Sequence, residues 1–187
     1  MLLLACEIGR VYILLETSLL STRLASPRIG NLEQVFHIFG YLKDNSKRKL
    51  GFDPGHPKID INRFHGFDWQ DFYKVVKEAI PPNMPKPGGN SVSTHYFVDA
   101  NHVGNKVTCR SQTGIIIFVN KIPIIAFSKR QNTVETSTFG SYFTALKNAV
   151  ELVKALRYKL HMFGVPIEGP TNVFCDNELL YKNVSTP

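Results

Sequence analysis

The chain has 187 residues, 43% of them hydrophobic, and 22 Lys plus Arg against 15 Asp plus Glu, a formal net charge of +7. That is enough length and apolar material to bury one sizeable core, which excludes a globally disordered polypeptide, and the positive balance suits a polyanionic partner or simple solubility. Cys6, Cys109 and Cys175 are spaced for neither a zinc site nor a disulfide framework, so a reducing intracellular setting, cytoplasm or nucleus, is expected.

The stretch from Met1 to Cys6 is apolar, but it lacks a basic flank, and Glu7, Arg10 and Glu16 break its continuation with charge. Neither a signal peptide nor a membrane span is expected. Residues 1–80 read as mostly helical. After an apolar-rich opening, Leu32, Val35, Phe36, Phe39 and Leu42 recur at helical spacing behind Asn31, which serves as N-cap in this reading. A basic turn, Lys47-Arg48-Lys49, comes next and reads as a solvated loop or a phosphate contact. A further short helix is predicted over 68–80, with Trp69, Phe72, Val75 and Val76 on its buried side.

The segment 81–93 holds several prolines and the pair Gly88-Gly89, which sustain neither a helix nor a central strand, and it marks a boundary between a helical region, 1–80, and a second unit, 94–187. Beyond it the pattern is one of strands. The first is predicted over 96–98, the second over 113–119 and the third over 123–128, the last two joined as a hairpin through Asn120-Lys121. From 137 to 163 Phe139, Phe143, Leu146, Val150, Val153, Leu156 and Leu160 mark a long helix, capped by Ser137 or Thr138 and ended by Gly164. Lys154, Arg157 and Lys159 are assigned to its water-facing side. A fourth strand at 173–175 and a final helix over 178–184 complete an α/β order, βββαβα.

Asp99 and Asp176 each follow a short apolar run, at the ends of the first and fourth predicted strands. A helical crossover between two strands lays the second parallel in the same sheet, so both carboxylates arrive at one edge. Paired carboxylates there suit a divalent metal better than a packed core. His102 is a lone histidine near a turn and stays outside the site. Neither a phosphate-loop glycine pattern nor a Gly-X-Ser-X-Gly serine context occurs.

The runs Phe97-Val98-Asp99-Ala100-Asn101-His102-Val103-Gly104, Arg110-Ser111-Gln112-Thr113-Gly114, Ser128-Lys129-Arg130-Gln131-Asn132-Thr133-Val134 and Phe174-Cys175-Asp176-Asn177, in that order, resemble the ribonuclease H domain of copia-type LTR retrotransposon polyproteins. Residues 9–27 and 31–43 resemble the end of the reverse transcriptase that precedes this domain in such polyproteins. The resemblance implies a ribonuclease H-like mixed sheet whose carboxylates hold two magnesium ions and cut the RNA strand of an RNA/DNA hybrid. It makes Asp99 and Asp176 catalytic metal ligands, and places Arg110, Ser111, Lys129, Arg130 and Gln131 against the nucleic acid.

Two departures bear on activity. The family's helical glutamates fall on Gly140 and Tyr142, the second being the expected ligand, and a phenol is neutral at neutral pH. The family's fourth acidic ligand and final strand lie beyond the position matched by Pro187. No Tyr-X-Asp-Asp polymerase motif occurs either. The expectation is a degenerate endonuclease domain with magnesium weakly held or absent, and the alternative is a non-catalytic nucleic-acid-binding module or a decayed element remnant.

Overall fold

The computed structural model describes residues 1–60, 78–105 and 107–185. The helix expected over 68–80, with Trp69, Phe72, Val75 and Val76, falls largely outside them. In chain order the elements are α1 (Leu2–Glu7), a 3₁₀ turn (Val11–Ile13), α2 (Leu14–Ser21), α3 (Ile29–Asp44), β1 (Thr94–Asn105), β2 (Arg110–Val119), β3 (Ile122–Arg130), α4 (Thr138–Met162), β4 (Asn172–Cys175) and α5 (Glu178–Ser185).

The four strands form one mixed sheet in the order β3-β2-β1-β4. β2 is antiparallel to both β1 and β3, whereas β4, delivered by the α4 crossover, runs parallel to β1. The β2–β3 hairpin turns at Asn120, whose φ of 54° is a left-handed conformation that Asn tolerates well. Its side chain repairs the turn locally: Oδ1 accepts from Ser93 N–H at 2.9 Å, and Nδ2 donates to the Pro54 carbonyl at 2.8 Å.

α4 begins as its sequence indicates, with Ser137 Oγ accepting the Gly140 N–H at 3.1 Å, and the chain leaves it through Gly164 at φ +66°. Its buried stripe keeps the predicted Val153 and Leu156, with Phe139, Leu146 and Leu160 packed against it partly buried, but differs from the predicted one toward its start. Tyr142, Ala145, Ala149, Val153 and Leu156 face the sheet, against Tyr96, Val98, Ala100, Ile115 and Ile117, while Phe143 is 51% exposed. Alanine is the reason. Two small side chains one turn apart let the helix axis approach the sheet closely, and the large Phe139 and Phe143 stack on each other at the flank, 6.0 Å between centroids.

The N-terminal helices carry a small core of their own, Cys6, Ile13 and Ile38. They also join the sheet. Ser18 on α2 is buried, its Oγ donates to the Ser128 carbonyl at 2.8 Å, and Gln112 Nε2 donates to Ser18 Oγ at 3.0 Å. Two readings of α3 are corrected. Arg28, not Asn31, is the N-cap, and Asn31 sits at the third helical position, where its Oδ1 accepts the Arg28 N–H at 3.0 Å. Ile38 is the buried residue and the predicted Leu42 packs against its cluster, whereas Leu32, Phe36 and Phe39 are exposed.

Arg157 is also corrected. Its side chain is 14% exposed, and it bridges α4 to Glu78, to Thr94 at the start of β1 and to Thr171 and Gly169 before β4. Among the described residues no helix is long and apolar enough to cross a membrane.

Candidate functional site

In the parallel β1–β4 pair, Val98 opposite Cys175 is the last registered couple. Asp99, midway along β1 and not at its end as expected, and Asp176, the first residue beyond β4, therefore follow this couple as neighbours where the parallel pairing ends, and both are exposed. α4 delivers the third group. Tyr142 lies in its second turn, 9% exposed, and its hydroxyl donates to Asp99 Oδ1 at 2.7 Å.

The electrostatics follow from that placement. Burial holds the Tyr142 phenol neutral well above its usual range, and the Asp99 and Asp176 carboxylates push it further the same way, because a phenolate there would face two anions. Burial also raises the Cys175 thiol, with the charges of Asp176 and Asp99 adding to it. Tyr96, under the sheet, is pushed up to about 12 by burial.

Because both phenols are harder to ionise folded than unfolded, their contribution is complete below the ordinary value of 10.0 and is lost as pH rises beyond it. The chain is thus expected to lose stability steadily above that pH, and Tyr142→Phe to flatten the decline. Urea unfolding across the alkaline range checks this; an unchanged slope would count against the Tyr142 contribution.

Glu135, the nearest upstream acid, does not join the pair. Its Oε1 accepts from Thr133 Oγ1 at 2.8 Å, and its Oε2 lies so close to Gly140 that a Cβ there would sit 2.8 Å away. Among the described residues, no group of three or more His, Cys, Asp or Glu side chains is arranged to hold a metal. Two-metal chemistry needs several anionic oxygens at one point. Asp99 and Asp176 supply two carboxylates, one of them with an oxygen already committed to a phenol proton. The donor set does not fit a magnesium pair.

The residues expected against nucleic acid divide into two groups. Ser111 and Gln131, expected on the contact surface, are buried and help hold the interior together. Ser111 Oγ lies 2.8 Å from Ser141 Oγ and receives the Val103 N–H, and Gln131 Nε2 donates to Thr113 Oγ1 and to the Ser141 carbonyl. Protein groups thus occupy the Ser111 hydroxyl and the Gln131 amide nitrogen, while Gln131 Oε1 is buried without a partner among the described residues, beside the cleft that Lys129 and Arg130 line. Arg110, Lys129 and Arg130 keep access to solvent, and Lys129 and Arg130 line a cleft of about 390 Å³ between β3 and α4 that none of Asp99, Tyr142 and Asp176 touches. His102, set aside in the sequence, has its Nδ1 2.8 Å from Ser141 Oγ; the only trace of this in the sequence is a serine one turn after the Ser137 cap.

Over 89 residues, 48% of its length, the chain is 28% identical to the retrovirus-related Pol polyprotein from transposon RE1 of Arabidopsis thaliana. It is 27% identical over 89 residues to the corresponding polyprotein from transposon RE2 of the same plant. The chain is similar to retrotransposon Pol polyproteins. It spans about 6% of the length of each of these two Pol polyproteins. No family model matches it, and no solved structure does. Similarity to Pol polyproteins supports a retroelement-derived domain, carried here on an α/β fold with a mixed sheet.

Proposed function

We propose that this chain is a retrotransposon-derived ribonuclease H-like domain, descended from a magnesium-dependent endonuclease that cuts the RNA strand of RNA/DNA hybrids, and that it no longer cleaves. The observation that carries this reading is the Tyr142 hydroxyl on Asp99, in the place where the copia-type resemblance calls for a glutamate. Support for the ancestry comes from the βββαβα order, from two neighbouring aspartates at the end of the parallel β1–β4 pairing and from the similarity to Pol polyproteins.

The loss of activity has a simple physical basis. In-line phosphoryl displacement needs concentrated negative charge to hold the ions that activate water and stabilise the leaving oxygen. A neutral phenol subtracts one anion from that set, and its proton occupies a lone pair of a second. Arg110, Lys129 and Arg130 favour a companion reading, a nucleic-acid-binding module without chemistry, because cations accessible at strand ends suit phosphate contacts across the wide minor groove of a hybrid.

The test is a labelled RNA/DNA hybrid incubated with the purified chain and magnesium. No cleavage above the Asp99→Asn background is expected, together with salt-sensitive binding. Cleavage that disappears in Asp99→Asn would refute the inactivity, and binding indifferent to salt would refute the module.

A further inference from the structure

The loop after α3 is a cationic surface held rigid by its own neighbours. Arg10 reaches across from the N-terminal helices and donates to three of the carbonyls beyond the helix end: Nη1 to Asn45 O at 3.2 Å and Arg48 O at 3.2 Å, and Nη2 to Ser46 O at 2.9 Å. A guanidinium at a helix C-terminus satisfies orphan carbonyls and complements the dipole. It also fixes the path of the backbone that carries Lys47, Arg48 and Lys49.

Arg48 is placed as firmly. Its guanidinium carbon lies 5.8 Å from the Tyr12 ring and 5.7 Å from the Tyr41 ring, and Nη1 donates to the Tyr41 hydroxyl at 3.0 Å. The two rings meet edge to face, 5.7 Å apart, and each is 40% exposed. Arg10 sits 5.9 Å from the same Tyr12 ring, so two guanidiniums share one aromatic ring. Among the described residues neither these two arginines nor Lys43, Lys47 and Lys49 pair with a carboxylate.

Like charges held this close repel one another, at a cost that the cation–π contacts offset only in part. An anion with several charges at chain spacing would remove that repulsion without reorganising the loop. We infer that the end of α3 and the loop after it, Lys43–Lys49, with Tyr12 and Tyr41, are a contact surface for the phosphodiester backbone of nucleic acid, outside the carboxylate site and formed by the N-terminal helices. Arginine held on aromatic rings presents its planar fork to a phosphate, and half-exposed tyrosines offer faces to unpaired bases. An anionic membrane fits less well. The cations all lie at or beyond the C-terminal end of α3, with Asp44, Asn45 and Ser46 among them, and do not flank an apolar face along its length. The inference shares its nucleic-acid partner with the proposed function but not its residues, so either can fail alone.

The test is fluorescence anisotropy of a short RNA/DNA hybrid on the full chain across a salt series, with Lys47→Ala/Lys49→Ala compared with Lys154→Ala/Lys159→Ala. The second pair makes the same change of charge on the exposed side of α4. Loss of two phosphate contacts is expected to weaken binding roughly tenfold and to reduce the salt slope by about 1.8, with the α4 pair near the natural chain. Equal losses from both pairs, or none from the loop pair, would overturn the assignment. So would tighter binding to phosphatidylserine vesicles than to the hybrid, with the same loss in the loop variant. Cleavage gained or lost through Tyr142 and Asp99 is read separately and moves none of these outcomes.

Discussion

Magnesium is expected to stabilise the Tyr142→Glu chain and to leave the stability of the natural chain unchanged. The substitution removes the phenol that donates to Asp99 and puts a third carboxylate beside Asp99 and Asp176. Without metal, loss of a hydrogen bond to a charged acceptor and the added like-charge repulsion cost about 3 kcal/mol together, discounted because both aspartates are exposed. For a chain of this size that lowers Tm by roughly 6–12 °C in EDTA. Magnesium at a hundred times its Kd would return about 2.7 kcal/mol of this, while the natural chain's Tm stays where it was. Hybrid cleavage is expected to appear with the metal and to vanish when Asp99→Asn is added. Thermal melts with EDTA and with magnesium, run beside a cleavage assay, decide it. A variant as stable in EDTA as the natural chain would remove Tyr142 from the carboxylate pair, and an equal magnesium shift in both would remove it from the metal argument.

The second large effect is expected from Arg157→Ala. One guanidinium ties α4 to β1 and to the entry of β4 through Thr94 Oγ1 at 3.3 Å, Thr171 Oγ1 at 3.2 Å and the Gly169 carbonyl at 3.2 Å, with Glu78 on its outer side at 3.0 Å. Removing it leaves the two threonine hydroxyls only each other, 2.6 Å apart, and unties α4 from the β1–β4 junction, for about 3 kcal/mol and a Tm roughly 6–12 °C lower. Arg157→Lys is expected to recover little, since an ammonium cannot span the fork. Glu78→Gln should cost below about 1 kcal/mol, because that carboxylate is 40% exposed.

The acid limb offers a second readout. The Arg157 hydrogen bond is the main reason Glu78 ionises below its usual 4.5, so its contribution is present above that pH and lost as pH falls through the folded value. Arg157→Ala should flatten that decline in denaturant unfolding. A variant with an unchanged melting point would show the clamp to be incidental.

How much of this was legible differs by element. The strands announce themselves by β-branched runs and a two-residue turn, although β1 extends well past its predicted end through an irregularity between Asn101 and Asn105. The long helix shows its cap and its terminator plainly. Its inward face does not: phenylalanines outrank alanines on any hydrophobic scale, and close approach to a sheet rewards the smaller side chain. Leu32, Phe36 and Phe39 mislead in the same way, being periodic and apolar yet exposed. Ser111 and Gln131 look like surface polar residues, and what buries them is a helix start from another part of the chain.

From the residues alone came the α/β order and the two aspartates that each follow a short apolar run, because each is written in local periodicity or in a short motif. Only the folded chain decided that Asp99 and Asp176 are neighbours, that the Tyr142 proton points at one of them and that Arg157 is a clamp instead of a solvated charge. Those facts depend on pairs far apart in the chain, such as Tyr142 with Asp99 or Ser18 with Ser128, and no local pattern encodes the distance between residues that meet only after the crossover has closed.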